Sequence, residues 1–283
     1  MKKLKRSSRL VDMTQFLLGR PHVLIPLTHF AERYESAKSS ISEDLAIVKE
    51  VFEEEGIGEL HTVAGAAGGV RFVPSVTQSD ALEFMKEICK MLERPDRLLP
   101  GGYLYMTDIL GQPSLLNEIG RIFASRFSKR DIDLVMTVET KGIPLAYSVA
   151  QHLNLPVVTV RRDAKVTEGS SVSINYVSGS NKRIQTMSLA RRALKEQSRV
   201  LIVDDFMKAG GTIRGMMDLL HEFNATVKGV CVLIESDDTE EHLVDQHISL
   251  ARLTGVDTKN KKISVVPGNY FDQAQKTIKK SFG

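Results

Sequence analysis

The chain has 283 residues and a mass of 31.5 kDa, a length that suggests two domains or one large one. Hydrophobic residues make up 42% and charged residues 26%, which excludes a disordered, collagenous or coiled-coil chain. No apolar run approaches the ~20 residues that span a bilayer, so we expect no membrane partner. Two distant cysteines, Cys89 and Cys231, exclude a disulfide framework and fit a cytoplasmic protein.

Charge is segregated at the N-terminus, although the net charge is only +3. Residues 1–42 carry an excess of five positive charges, and residues 43–59 carry an excess of six negative charges. A basic surface beside an acidic one is typical of a module that presents one side to a polyanion. The seven histidines lack the spacing of metal ligands, so we assign no metal site.

The first 75 residues predict three helices followed by a β-hairpin. Apolar residues at helical spacing predict a helix over 10–18, a second that starts at Pro26, and a third over 36–55. Two β-prone runs, 60–63 and 70–73, flank a glycine-rich loop and predict the hairpin. This order is that of a winged helix, a variant of the helix-turn-helix. A small three-helix interaction module is the alternative.

The start of the third helix carries small polar residues and one lysine, which suit phosphates and base edges. Its acidic end would point away from DNA. The polar segment around Pro74 predicts a domain boundary, so we assign residues 1–74 to a winged-helix DNA-binding domain and 75–283 to an effector-binding domain. The residues expected to face double-stranded DNA are Lys3, Lys5, Arg6, Arg9, Lys38, Ser39, Ser40, Ser42 and Arg71.

The second domain alternates between helical stripes and apolar, β-prone runs. Leu82, Met85, Cys89 and Leu92 form its first helical stripe. Strands are predicted over 132–138, 156–160, 199–203 and 226–234, and helices over 142–153 and 211–223. Continuous apolar strands separated by helices indicate an α/β fold with a parallel sheet covered on both faces. Ligands of such sheets bind at the carboxyl ends of the strands.

One strand end combines paired acids with a glycine-rich helix start. Asp204 and Asp205 follow an apolar run, and Gly210, Gly211 and Thr212 open the next helix. The glycines let the backbone approach an anion, and amides at the helix start bind a phosphate. The carboxylates suit the hydroxyls of an attached sugar, so the segment predicts a ribose 5-phosphate site. The alternative is an ordinary strand-to-helix turn, which would not explain why two acidic residues stand side by side at the strand end.

This segment, VLIVDDFMKAGGT, resembles the phosphoribosyl-diphosphate (PRPP) signature of the type I phosphoribosyltransferases, with departures at Lys208 and Ala209. The resemblance implies that loops after two other strands hold the diphosphate and that a hairpin around 172–187 covers the ligand. It implies an effector site made of Tyr103, Thr140, Lys141, Gly142, Arg161, Arg162, Lys165, Ser178, Gly179, Ser180, Asp204, Asp205, Phe206, Lys208, Ala209, Gly210, Gly211 and Thr212.

The departures predict binding without turnover. Many transferases carry threonine where Ala209 stands, so one phosphate-binding hydroxyl is missing, and Lys208 adds a cation. The flexible segment also lacks the Tyr-x-x-Glu-Tyr-Gly pattern of the adenine enzyme. A site that binds substrate without favouring its transition state makes a receptor rather than an enzyme. We therefore assign no catalytic residue and no required cofactor, and magnesium dependence stays open.

The two halves together are more informative than either one. The start RSSRLVDM and the segment VDDFMKAGGT resemble the PurR-type purine operon repressors of Gram-positive bacteria, and the resemblance runs along nearly the whole chain. It implies a homodimeric repressor that binds operator DNA, with PRPP as inducer and guanosine tetraphosphate as competitor. The alternatives are an active purine phosphoribosyltransferase with an appended DNA-binding module, and an RNA-binding attenuator with the same ligand fold.

Overall fold

The computed structural model of the protein describes residues 4–65, 68–100, 103–163, 169–177, 183–238 and 243–272. Its N-terminal module contains α1 (Arg6–Leu18), β1 (Ile25–Pro26), α2 (Leu27–Tyr34), α3 (Lys38–Glu54), β2 (Gly58–Val63) and β3 (Gly69–Pro74). The three strands form an antiparallel sheet in the order β1-β3-β2. This arrangement confirms the predicted winged helix. Strand β1 was not predicted, and Pro26 precedes the second helix in extended conformation instead of starting it.

The three helices of the module enclose an apolar core. Met13 of α1, Phe30 of α2, and Ile41 and Phe52 of α3 are fully buried. Burial of a side chain of this size stabilises the fold by about 1.5–3 kcal/mol. The periodicity that predicts each helix therefore also places its apolar face against the other two.

A buried ion pair joins α1 to α3 beside this core. Asp44 has no exposed surface, and it accepts hydrogen bonds from Arg9 Nε at 2.6 Å and from Arg6 Nε at 2.9 Å. Burial alone would raise the pKa of Asp44, but the hydrogen bonds from the two arginines lower it on balance. Asp44 is therefore ionised in the folded module and holds the N-terminal helix against the third helix.

The second part of the chain is built around a six-stranded sheet. Its elements are α4 (Gln78–Leu92), β4 (Leu98–Leu99), β5 (Tyr103–Leu104), α5 (Thr107–Leu110), α6 (Pro113–Phe127), β6 (Leu134–Val138), α7 (Gly142–Leu153), β7 (Val157–Val160), β8 (Ser171–Val177), β9 (Ile184–Ala190), β10 (Arg199–Met207), α8 (Gly211–His221), β11 (Thr226–Ser236), β12 (Ile248–Asp257) and β13 (Lys262–Pro267). The strand order is β13-β12-β11-β10-β6-β7, and only β13 runs antiparallel to its neighbour.

Side chains of both faces of this sheet are buried. Leu201 and Val203 of β10 belong to the core cluster that also contains residues of α4, α6 and α7, whereas Val200 and Ile202 belong to the cluster with residues of α8 and the β8–β9 hairpin. Successive side chains of a strand point to opposite faces, so one apolar run serves both layers. The predicted parallel sheet covered on both faces is confirmed. No helix within the described ranges is long and apolar enough to cross a bilayer.

Several elements differ from the sequence-based expectations. Strand β10 continues to Met207 instead of ending at residue 203, because β11 pairs with it along that length. The buried stripe of α4 is formed by Ala81, Met85, Ile88, Cys89 and Leu92, and Leu82 lies at its margin. Helix α6 and strands β12 and β13 were not predicted.

We predict that Asp44→Ala destabilises the N-terminal module by about 3–5 kcal/mol, because it leaves the Arg9 charge buried without a partner. Hydrogen exchange of the α1 and α3 amides in the full chain measures this local opening. Glu43→Ala removes an exposed carboxylate from the adjacent position and serves as control, with an expected change within about 0.5 kcal/mol. Equal protection in the two variants would contradict a structural role for the ion pair.

Candidate functional site

Two buried carboxyl groups lie at the carboxyl end of β10. Asp204 is only 4% exposed, and its Oδ1 accepts a hydrogen bond from the backbone N–H of Asp205 at 2.9 Å. Burial raises the pKa of Asp204, and the adjacent Asp205 carboxylate raises it further. Burial also raises the pKa of Asp205, an effect that the nearby Lys141 charge partly offsets. These carboxyl groups are poorly hydrated and suited to accept hydrogen bonds from hydroxyl groups.

The loop after β10 leads into the N-terminus of α8. Gly210 has φ of +82°, a conformation that favours glycine, and α8 starts at the next residue. The first amides of a helix lack partners within it, so they attract an anion. Lys208 in the same loop forms an ion pair with Asp238, with 3.1 Å between Nζ and Oδ2. Gly211 is buried and Ala209 and Thr212 are half-buried at this turn.

Helix α7 starts directly against Asp204. A Cβ atom on Gly142 would collide with Thr137 Oγ1 and lie 2.9 Å from Asp204 Oδ1, so only glycine fits. Lys141 precedes this glycine as the N-cap residue of α7, and Thr140 beside it is exposed. The peptide bond between Glu139 and Thr140 is cis. The predicted loop after β6 therefore lies beside the predicted sugar-binding carboxylates.

Glu139 joins the loop after β6 to the loop after β7, and the sequence analysis did not single it out. Its Oε1 accepts a hydrogen bond from the Arg162 backbone N–H at 2.7 Å, and its Oε2 accepts one from Arg161 Nη1 at 3.3 Å. The Arg162 charge lies close enough to lower the pKa of Asp204. Glu139 is the first residue after β6, so the strand-end rule could have found it.

Lys141 and the end of β10 border a cleft of about 1060 Å³. Five predicted residues line it: Tyr103, Lys141, Asp205, Phe206 and Lys208. The other walls come from Leu99, Pro100, Leu104 and Met106 and from the ends of β11 and β12, including Ser236, Asp237 and Asp238. The last three follow a predicted strand, so the same rule would have found them too.

The predicted hairpin is present, and its base is fixed to the edge of the sheet. Arg161 and Ser188 exchange backbone hydrogen bonds of 3.0 and 2.7 Å between β7 and β9. Tyr176 of β8 packs against Gly215 of α8 so closely that a Cβ there would lie 2.9 Å from the Tyr176 ring. The predicted tip residues Ser178, Gly179 and Ser180, and Lys165 of the preceding loop, lie outside the described residues.

The predicted DNA-facing residues divide into two groups in the structure. Five of them are exposed, namely Lys5, Lys38, Ser39, Ser42 and Arg71. Ser40 is half-buried, and Lys3 lies outside the described residues. Arg9 is only 9% exposed and is paired with Asp44, which corrects its assignment to the DNA surface. Arg6 shares that carboxylate but keeps about half of its side chain, 56%, exposed.

Only part of the predicted effector site lines this cleft. Asp204, Arg162 and residues 209–212 at the start of α8 are not among its lining residues. Within the described ranges, no group of three or more His, Cys, Asp or Glu residues could hold a metal ion.

Comparisons with known proteins match both halves of the chain. Residues 5–74 match the family profile described as bacterial purine repressor, N-terminal, and residues 106–268 match that of the phosphoribosyl transferase domain. Among solved structures, the adenine phosphoribosyltransferase of Thermoanaerobacter pseudethanolicus is similar, with a TM-score of 0.51 and 26% identity. That match covers 59% of this chain and 98% of the enzyme.

Full-length relatives are also found. The purine biosynthesis transcriptional repressor PurR of Bacillus subtilis is 61% identical, over 95% of this chain and 94% of that protein. The purine biosynthesis transcriptional activator PurR of Lactococcus lactis subsp. lactis is 48% identical, over 95% of this chain and 99% of that protein. The chain therefore belongs to the PurR family of purine biosynthesis transcriptional regulators.

Proposed function

We propose that this protein is a homodimeric repressor of purine biosynthesis and transport genes, and that PRPP releases it from double-stranded operator DNA. The observation that carries the proposal is the joining of a winged helix to a phosphoribosyltransferase fold with a sugar-phosphate cleft in one chain. The 61% identity to a protein named as a repressor favours repression, whereas the relative named as an activator is more distant at 48%.

The chemistry of the cleft supports PRPP as the effector. PRPP carries a 5-phosphate, a ribose diol and a diphosphate. The start of α8, the Asp204–Asp205 pair, and the cations Lys141 and Arg162 are three neighbouring groups suited to these three parts. Guanosine tetraphosphate also carries diphosphates on a ribose, so we propose it as a competitor for the same cleft.

The exposed start of α3 and the wing support DNA as the partner of the N-terminal module. Lys38, Ser39 and Ser42 lie together at the start of α3, and Arg71 lies on the wing strand β3. A recognition helix with its N-terminal residues in the major groove and a basic wing beside it is the usual docking geometry of this motif. Proteins of this kind commonly bind two half-sites as dimers, which supports a homodimer.

A second candidate function is purine phosphoribosyl transfer, which the fold of the adenine enzyme favours. We favour a receptor for two reasons. Ala209 supplies no hydroxyl to the phosphate loop. In addition, the relatives that align with nearly the whole chain at 61% and 48% identity are named as a transcriptional repressor and a transcriptional activator. Binding that does not become stronger in the transition state gives no rate enhancement.

The proposal predicts that PRPP weakens DNA binding. A duplex from the control region of a purine biosynthesis gene is titrated with protein at several PRPP concentrations and fixed salt, and we expect affinity to fall by roughly 5- to 150-fold. Asp204→Ala should bind PRPP about 1–3 kcal/mol more weakly and respond only at higher PRPP, because the hydrogen bond between the Asp204 carboxyl group and a sugar hydroxyl is lost. This variant should stay folded, since burial already disfavours the Asp204 charge. Duplex affinity that is independent of PRPP in the wild type would exclude induction by PRPP.

We predict no transferase activity. The protein is incubated with PRPP, magnesium and each of adenine, guanine, hypoxanthine and xanthine, and released diphosphate is measured. An authentic xanthine phosphoribosyltransferase in the same assay shows that the reagents are active. Turnover of about one per second on any base lies in the ordinary range for enzymes and would establish the second candidate function.

The DNA surface predicts a charge-dependent contact at the start of α3. Lys38→Ala should weaken binding to every duplex and reduce the salt-dependence slope by about one unit, because one phosphate contact is lost. Lys49→Ala is the matched control, since Lys49 lies near the acidic end of the same helix and pairs with Glu53. If both variants kept the wild-type slope, the start of α3 would not contact phosphate.

A further inference from the structure

Helix α7 extends from the effector cleft to the N-terminal module. Its first residue, Gly142, packs against Asp204, and its twelve residues give it a length of about 18 Å. Its last turn and the residues after it, including His152 and Asn154, face Leu18, Gly19 and Pro21 of the N-terminal module across a cavity of about 830 Å³. One rigid element therefore reaches both the cleft and the module.

The end of α7 contacts the module through His22. The His22 side chain is half-buried and lies close to the backbone of His152 at the end of α7, and its Nε2 is buried without a hydrogen-bond partner in the part of the chain that the structure describes. The His22 backbone N–H donates to the carbonyl of Phe72 in β3 at 2.8 Å, and its φ is +62°. His22 is thus held between the wing strand of the module and the last turn of α7.

Helix α6 packs tightly along α7 and moves with it. Ser148 Oγ of α7 donates a hydrogen bond to the carbonyl of Leu116 in α6 at 2.7 Å. A Cβ on Gly120 of α6 would collide with Ser148 Oγ, so the two helix backbones are as close as glycine allows. A shift of α7 along its axis would therefore displace α6 as well.

Arg121, next to Gly120, connects α6 to the module. Its Nη1 donates to the carbonyls of Gly56 at 2.8 Å and Ser75 at 3.2 Å. Its Nε and Nη2 donate to Glu118 Oε2 at 3.1 and 2.7 Å, which holds the guanidinium in place. Gly56 lies between the end of α3 and the start of β2, and Ser75 follows the end of β3. The Arg121 side chain therefore binds the backbone at both ends of the wing and just after the recognition helix.

We infer that α7 and α6 carry the effect of effector binding from the loop at Lys141 and Gly142 to the DNA-binding module, and that Arg121 and the His22–His152 contact are the points of transfer. This inference rests on the proposed function, because it requires an effector and an operator. A diphosphate held at the start of α7 displaces that helix against the module, and the two contacts convert the displacement into a new orientation of α3. Arg121 and His22 are positioning residues that touch neither ligand.

The test measures the coupling factor, defined as the duplex Kd at saturating PRPP divided by the duplex Kd without PRPP. In Arg121→Gln this factor should fall by roughly 2- to 30-fold from the wild-type value, the range of mutations that act on coupling alone. The Kd for PRPP without DNA should stay within about twofold of wild type, because Arg121 is remote from the cleft. Arg126→Gln removes the same charge from an exposed position on the same helix and should keep the wild-type factor.

A second variant, at the other contact, tests the inference independently in case Arg121→Gln perturbs the local fold. His22→Asn keeps a residue that tolerates positive φ but is too short to reach the His152 backbone, and it should lower the coupling factor as well. The inference is overturned if both variants keep the wild-type factor, or if Arg121→Gln weakens PRPP binding in the absence of DNA. A wild-type factor of one would instead overturn the proposed function.

Discussion

The close approach of Gly142 to Asp204 determines how the cleft is connected to the rest of the protein. No side chain fits between the start of α7 and the carboxyl group at the end of β10. The loop that carries Lys141 and the loop that starts α8 therefore lie side by side, with the paired aspartates between them. Because α7 is rigid and ends at the N-terminal module, a ligand at this point acts on an element that also contacts the DNA-binding part.

Two cations in and beside the cleft are paired with carboxylates of the protein. Lys208 pairs with Asp238, and Arg161 pairs with Glu139, which also accepts the Arg162 backbone N–H. A polyanionic effector must compete with these carboxylates for the same cations, so binding exchanges one set of partners for another. Such an exchange links occupancy to the positions of the loops, which suits a sensor.

Local sequence patterns predicted the elements and the chemistry that lie close together in the chain. The winged helix followed from helical spacing and a hairpin, and the sugar site followed from Asp204 and Asp205 before two glycines. Contacts between distant residues could not be predicted this way. Arg9 was assigned to DNA because its partner, Asp44, lies 35 positions away. Likewise, nothing near Arg121 in the sequence indicates that it binds carbonyls at residues 56 and 75.

We propose that effector and operator each weaken the binding of the other to the same chain, and calorimetric titration with PRPP tests this coupling most directly. PRPP is titrated into the free protein and into the protein bound to a duplex from a purine gene control region, at the same salt. Thermodynamic reciprocity requires the duplex to weaken PRPP binding by the same factor by which PRPP weakens duplex binding. We expect that equality, with a factor of roughly 5 to 150. Identical PRPP affinities with and without the duplex would contradict the claim.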